Sequence, residues 1–189
     1  MPKLPNTYSL DALAAGESVW EEIANGAVAE SPLWAEALLP PERRELLPVF
    51  SPLGKPRFAL GIETIYEGYL LHYGRQRLFA PETPERALLL GDYLFAHGLV
   101  RIAAGGEVAP VADLAELISL CAQIRAEGGD GDGWAWASTV ALLGSGELVA
   151  ARAALRDRGD VEPLGALARA AAGEVAVQRA LAAHAVRVR

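Results

Sequence analysis

Phe58-Ala59-Leu60-Gly61-Ile62-Glu63-Thr64-Ile65-Tyr66-Glu67-Gly68-Tyr69-Leu70-Leu71-His72-Tyr73 is the stretch that decides the fold class. Phe58, Ile62, Ile65, Tyr66, Tyr69 and Tyr73 follow one another at spacings of four, three, one, three and four, which places them on one face of a helix. Glu63 and Glu67 fall on another face, read as solvated, and the helix is expected to run to about Phe79. Thr83-Pro84-Glu85 then offers a cap, a first-turn proline and an acid at the positive end of the next helix. That helix, to about Ala103, is apolar almost all round through Leu88, Leu89, Leu90, Leu94, Phe95, Leu99, Val100 and Ile102. Such a pattern predicts the most buried helix of the protein, in the middle of a bundle.

Outward from this pair, residues 1–57 carry eight prolines, which cannot lie inside long helices without losing a hydrogen bond. Short helices are expected there: about Asp11 to Asn25 capped by Ser9, a second started by Ser31-Pro32, and a third over Pro41–Leu47. Downstream, Gly105-Gly106 ends the apolar helix, Pro110 starts one reaching Glu127, and Gly128–Gly133 reads as a mobile linker. Asp130 and Asp132 in that linker lack the terminal Glu of an EF-hand. Trp134–Leu143 and Glu147–Arg156 read as shorter helices, Trp134 and Trp136 as core anchors, and an alanine-rich helix capped by Asp160 as running through His184. Alternating strand patterns are absent. The expectation is an all-α, single-domain protein of about eight helices, a bundle over residues 58–189 with the short helices of the proline-rich segment 1–57 packed on it.

Composition narrows the function classes. The 189 residues are 52% hydrophobic and 22% charged, enough for one substantial core, and the formal charge is −7. Residues 1–50 hold three Lys/Arg against eight Asp/Glu, residues 51–109 six of each, and residues 110–189 eight against ten. No segment is basic enough for nucleic acid to be the partner. The lone cysteine, Cys121, sits among apolar residues and reads as a core thiol. The N-terminus lacks the apolar run of a signal peptide and no transmembrane segment is expected, so a soluble cytoplasmic location is the expectation.

Three short runs carry a resemblance to trans-isoprenyl (polyprenyl) diphosphate synthases. They are Gly54-Lys55, Leu70-Leu71-His72 and Leu88-Leu89-Leu90-Gly91-Asp92-Tyr93-Leu94-Phe95-Ala96, inside a region of about 75 residues from Gly54 to about Gly128. In that family a Gly-Lys pair opens the diphosphate site, a Leu-Ile-His-Asp-Asp run carries metal, and a Gly-Asp-Tyr-Leu helix packs the core. Here Tyr73 and Gly74 stand where the first aspartates would follow His72, and no Asp-Asp-x-x-Asp array occurs. Hard divalent cations require such oxygen ligands. The resemblance therefore implies a truncated isoprenoid-synthase-like bundle without metal, cofactor or catalytic residues. It would act as an accessory or regulatory subunit with a protein partner or a second copy of itself, or bind a prenyl chain.

The ligand-binding residues expected on this reading are Lys55, Tyr66, Tyr69, His72, Tyr73 and Asp92. Lys55, His72 and Asp92 come from the resemblance; the three tyrosines form an aromatic face that either lines a tunnel or fills the core. Arg57, Arg75 and Arg77 read as solvated residues near helix ends, with direct diphosphate binding as the alternative. A second functional expectation is an isoprenoid enzyme using metal-independent acid–base chemistry, with His72 and a buried Asp92 as the candidates.

Overall fold

The helix from Ala59 to Tyr73 is the centre of the molecule in a computed structural model that describes residues 12–188. Nine α-helices are present among these residues: α1 (Ala12–Glu30), α2 (Pro32–Ala37), α3 (Ala59–Tyr73), α4 (Pro84–Ala103), α5 (Val108–Ala126), α6 (Asp132–Ala141), α7 (Val149–Arg158), α8 (Glu162–Ala172) and α9 (Glu174–Ala185). The described chain forms no strand, only isolated bridges pairing Leu38 with Phe79 and Gly74 with Val188. The all-α class expected from sequence is what the structure has.

Local chemistry explains where the helices start and stop. Thr83 Oγ1 accepts a hydrogen bond from Arg86 N at 3.3 Å and Ser31 Oγ one from Leu33 N at 3.2 Å, each followed by a proline in the first turn. No proline interrupts Ala12–Glu30, so α1 outlasts its expected end at Asn25; the Ser9 cap lies outside the described residues. The expected third helix shrinks to one 3-10 turn, Pro41–Arg43. Near the C-terminus, Gly173 takes φ 84°, a conformation that splits the expected single alanine-rich helix into α8 and α9.

The largest departure from expectation concerns which helix is central. Every residue of α3 from Gly61 to Leu71 is buried, whereas α4 exposes Leu88, Leu89 and Val100 at 49%, 58% and 65%. Apolar residues on all sides of α4 do not make it the middle of the bundle. The reason is visible in its contact with α3. The helices are antiparallel, and Gly61 faces Gly98 while Gly68 faces Gly91, two glycine pairs one heptad apart. A Cβ on Gly68 would lie 2.9 Å from the Gly91 carbonyl oxygen, and one on Gly61 3.1 Å from that of Gly98. The backbones meet closely along this seam, so α4 lies flat on one side of α3 and turns its opposite face outward.

The other sides of α3 are covered by two apolar groups. Phe50, Tyr66, Tyr69 and Trp136 interlock at ring separations of 5.1–6.0 Å, with the buried sides of α5, α6, α8 and α9 around them. Trp20, Ile23, Trp34, Leu78 and Phe79 pack against Leu71, Leu90 and Leu94 on the opposite flank. Trp136 is the expected core anchor; Trp134 is partly buried, with the Arg169 guanidinium 5.3 Å from its ring.

The glycine seam generates a prediction. At Gly98 an added methyl would run into the Ile65 side chain and stand 3.0 Å from the Gly61 carbonyl oxygen. Alanine's advantage in a helix, about 1 kcal/mol, is smaller than the cost of overpacking such a contact, about 1–3 kcal/mol. Gly98→Ala is therefore expected to lower the urea midpoint. Gly165→Ala in α8, where an added methyl meets only the far end of the long Arg169 side chain, is expected to leave it unchanged or raise it.

Candidate functional site

Two polar clusters occupy the C-terminal half of α3, and they differ in what they can do. The first is fully enclosed. Arg77 is 0% exposed, and its guanidinium bonds Glu63 Oε2 at 2.7 Å and Glu67 Oε2 at 3.0 Å. Glu67 Oε1 accepts from the backbone N–H groups of Arg77 and Leu78, at 2.9 and 2.8 Å, and Arg77 donates a further bond to the Leu47 carbonyl at 3.2 Å. The cation also lies 4.6 Å from the Trp20 ring and 4.9 Å from that of Tyr66.

This cluster corrects three expectations. Glu63 and Glu67 are buried rather than solvated, Arg77 is a core residue rather than a solvated or diphosphate-binding one, and α3 stops at Tyr73 instead of reaching Phe79. One cause covers all three. The chain from Gly74 to Phe79 must turn back to deliver the Arg77 and Leu78 N–H groups and the guanidinium to the two acids. The usable signal in the sequence was two acids four residues apart in a helix otherwise apolar on every side, a pattern that calls for a buried cation.

The second cluster reaches solvent. Tyr69 and Arg125 both donate to Asp132 Oδ2, and Arg125 Nε donates to the Tyr69 oxygen at 3.1 Å. Asp132 Oδ1 accepts from Gly133 N at 3.0 Å, which satisfies a free donor in the first turn of α6. Tyr66 Oη lies 2.9 Å from His184 Nδ1, and His184 Nε2 is 3.6 Å from Asp132 Oδ1 without a hydrogen-bond partner. Asp132 is thus a buried anchor for α6, not part of a mobile linker.

Beside this network a cleft of about 810 Å³ opens where α3 and α5 end, lined by His72, Tyr73, Arg125, Asp130, Asp132, Val188 and small residues between them. His72 stacks on Phe95 with centroids 5.1 Å apart, and its Nε2 is 3.2 Å from Asp92 Oδ1, at ion-pair distance but out of hydrogen-bond alignment.

The expected ligand-binding residues separate accordingly. His72 and Tyr73 line the cleft, and Asp92 reaches it only through His72. Asp92 is 71% exposed rather than buried, so the acid–base expectation loses the enclosed carboxyl on which it stood. Tyr66 and Tyr69, 0% and 1% exposed, lie within the core. Lys55 is exposed before the first turn of α3, roughly 20 Å from the cleft at the other end by helical rise. Arg57 pairs with Glu107 and Arg75 with Glu45, so the basic residues do not converge on an anion. Arg125, Asp132 and His184 are the functional-site residues that sequence reasoning missed, because they come from three separate helices.

Among the described residues, no three His, Cys, Asp or Glu side chains come together as a metal site, and no helix is long and apolar enough to cross a membrane. The Cys121 thiol is buried on the inner side of α5, and desolvation pushes its pKa well up. No protein family, curated protein or solved structure matches the chain.

Removing the enclosed cation is expected to be costly. Arg77→Met leaves two buried carboxylates without a counter-charge and should lower the unfolding free energy by about 3–5 kcal/mol in urea titrations. Arg77→Lys should recover only part of this, since an ammonium cannot span both acids while keeping the ring contacts.

Acid should also weaken the fold in two stages. Burial holds the His72 imidazole below its ordinary pKa against the pull of Asp92, and burial with Arg101 does the same to His97. Both bind protons more readily unfolded, so their contribution is whole above about pH 6.5 and is lost as the pH falls below it. Burial pushes the Asp132 carboxyl up, but His184, Tyr69 and Arg125 outweigh this and hold it below the carboxylate range. Its contribution is whole above about pH 4 and is lost as the pH falls further. The urea midpoint should decline as the pH falls below about 6.5, less so in His72→Gln, and fall again below about pH 4.

Proposed function

We propose that the protein is a non-catalytic helical subunit that works by association, pairing with a second copy of itself through the outward faces of α4 and α5. The observation that carries this reading is the exposure of Leu88, Leu89 and Val100 on a helix whose outward side, completed by Ala96 and Ala103, bears Asp92 as its one charge from Leu88 onward. Arg101, the other charge of that stretch, turns inward to the Thr64 hydroxyl and the Glu22 carbonyl. The exposed residues of the neighbouring α5 are small and uncharged through Ala109, Ala112, Ala115 and Ser119.

Contiguous apolar surface of this kind is uncommon on a chain that works alone. A face with so little charge asks for no oppositely charged partner, which favours a like surface and hence an isologous pair. The resemblance to isoprenyl diphosphate synthases gives the proposal its direction: an accessory or regulatory chain of that ancestry, acting through contact rather than prenyl transfer. A prenyl-binding role has less behind it, because Tyr66 and Tyr69, the aromatic face expected to line a tunnel, are buried among the core side chains.

The purified chain is expected to sediment as a dimer at micromolar concentration, and Leu89→Glu with Val100→Glu to convert it to a monomer. Both positions are exposed, so the urea midpoint measured on the monomeric variant should reflect only the lost association. A parent chain that sediments as a monomer throughout the micromolar range would overturn the proposal.

A further inference from the structure

The cleft at the ends of α3 and α5 has an electrostatic character of its own, independent of the association face. Arg125 and Asp132 compensate each other by direct contact, and Asp132 also satisfies the α6 N-terminus through Gly133 N. Asp130, exposed on the loop, remains as a charged group of the lining. His72 is kept neutral near pH 7 by burial.

Two helices end here: His72, Tyr73 and Gly74 close α3, and Ala122, Arg125, Ala126 and Gly128 belong to the last turns of α5 and its exit. The last carbonyls of a helix lack intrahelical partners and carry the negative end of its dipole. The Arg125 and Ile124 carbonyls are taken by Gly128 N and Gly129 N, whereas that of Ala126, which lines the cleft, has no backbone donor in the turn that follows. Tyr73, half-buried and 5.2 Å from Tyr69 between centroids, adds an aromatic wall. A carboxylate, two helix C-termini and an aromatic face in one cavity are the features that recognise an organic cation. A volume of about 810 Å³ suits a small molecule rather than a bare ion.

We infer that this cleft binds a small organic cation, an ammonium or guanidinium group on an apolar stem. The charged head meets Asp130 and the Ala126 carbonyl at the end of α5, and the stem lies along Tyr73 and His72. The same head group occurs in free amines and in the basic side chains of peptides, and probes of both kinds distinguish the two.

Titration calorimetry and backbone-amide NMR on the full chain test this with four probes: agmatine, putrescine, a capped Gly-Arg-Gly peptide and inorganic phosphate. Agmatine or putrescine is expected to bind and to shift the amides of Tyr73, Gly74, Gly128 and Gly129. Asp130→Asn and Tyr73→Leu should each weaken that binding fivefold or more, with NMR spectra of the unliganded variants confirming the fold. Leu89→Glu with Val100→Glu should leave amine affinity unchanged, which separates this inference from the proposed pairing. Tighter binding of phosphate, binding of the peptide alone, amine affinity indifferent to both cleft variants, or no amine binding up to millimolar concentration would each overturn the assignment.

Discussion

A guanidinium with no access to water holds this structure in register. Arg77 lies between Glu63 and Glu67 and against the rings of Trp20 and Tyr66, so one side chain touches α1, α3 and the loop that carries Leu47. Desolvating these charges is expensive, and the geometry offsets the cost by giving the carboxylates backbone donors as well as the cation. The arrangement tolerates few alternatives. Leu39 bonds the Leu78 carbonyl at 2.8 Å, Ala80 that of Ala37 at 2.7 Å, and Glu45 that of Arg77 at 3.0 Å, all depending on where the Arg77 segment is pinned.

The helical class, the Thr83 and Ser31 caps and the aromatic face of α3 were legible because they depend on residues within a turn or two of one another. Which apolar helix is enclosed was not. That choice rests on Gly61, Gly68, Gly91 and Gly98 meeting across two helices, and glycine in a helix reads locally as a weakness rather than a contact. Glu63 and Glu67 were misplaced for a related reason: an acid pair at helical spacing looks solvated until its counter-charge, ten to fourteen residues away, is known to fold back. His72 and Tyr73 of the cleft were read from sequence; Arg125 and Asp132 are brought to it, and His184 to the Tyr66 and Asp132 side of the same network, by tertiary packing alone.

Asp92 is where the association face and the cleft touch. It stands on the outward side of α4 and reaches the edge of His72, which lines the cavity. The two surfaces adjoin at His72, stacked on Phe95, but draw on different elements: the exposed apolar side chains belong to α4, and the charged groups of the cleft, Arg125, Asp130 and Asp132, come from α5 and the entry to α6.

The separation of contacts along the chain sets an order of assembly. α3 and α4 are consecutive, and their glycine seam closes over a short connection, so this hairpin forms early and cheaply in loop entropy. Tyr66 and His184 are 118 residues apart, and Glu45 and Arg187 are 142 apart. Those bonds, with the Arg187 carbonyl that accepts from Arg75 N at 2.7 Å, join the C-terminal end of the described chain to the region between Glu45 and Arg75. They belong to the last stage of folding, and a chain halted before it has a formed hairpin and an open aromatic core.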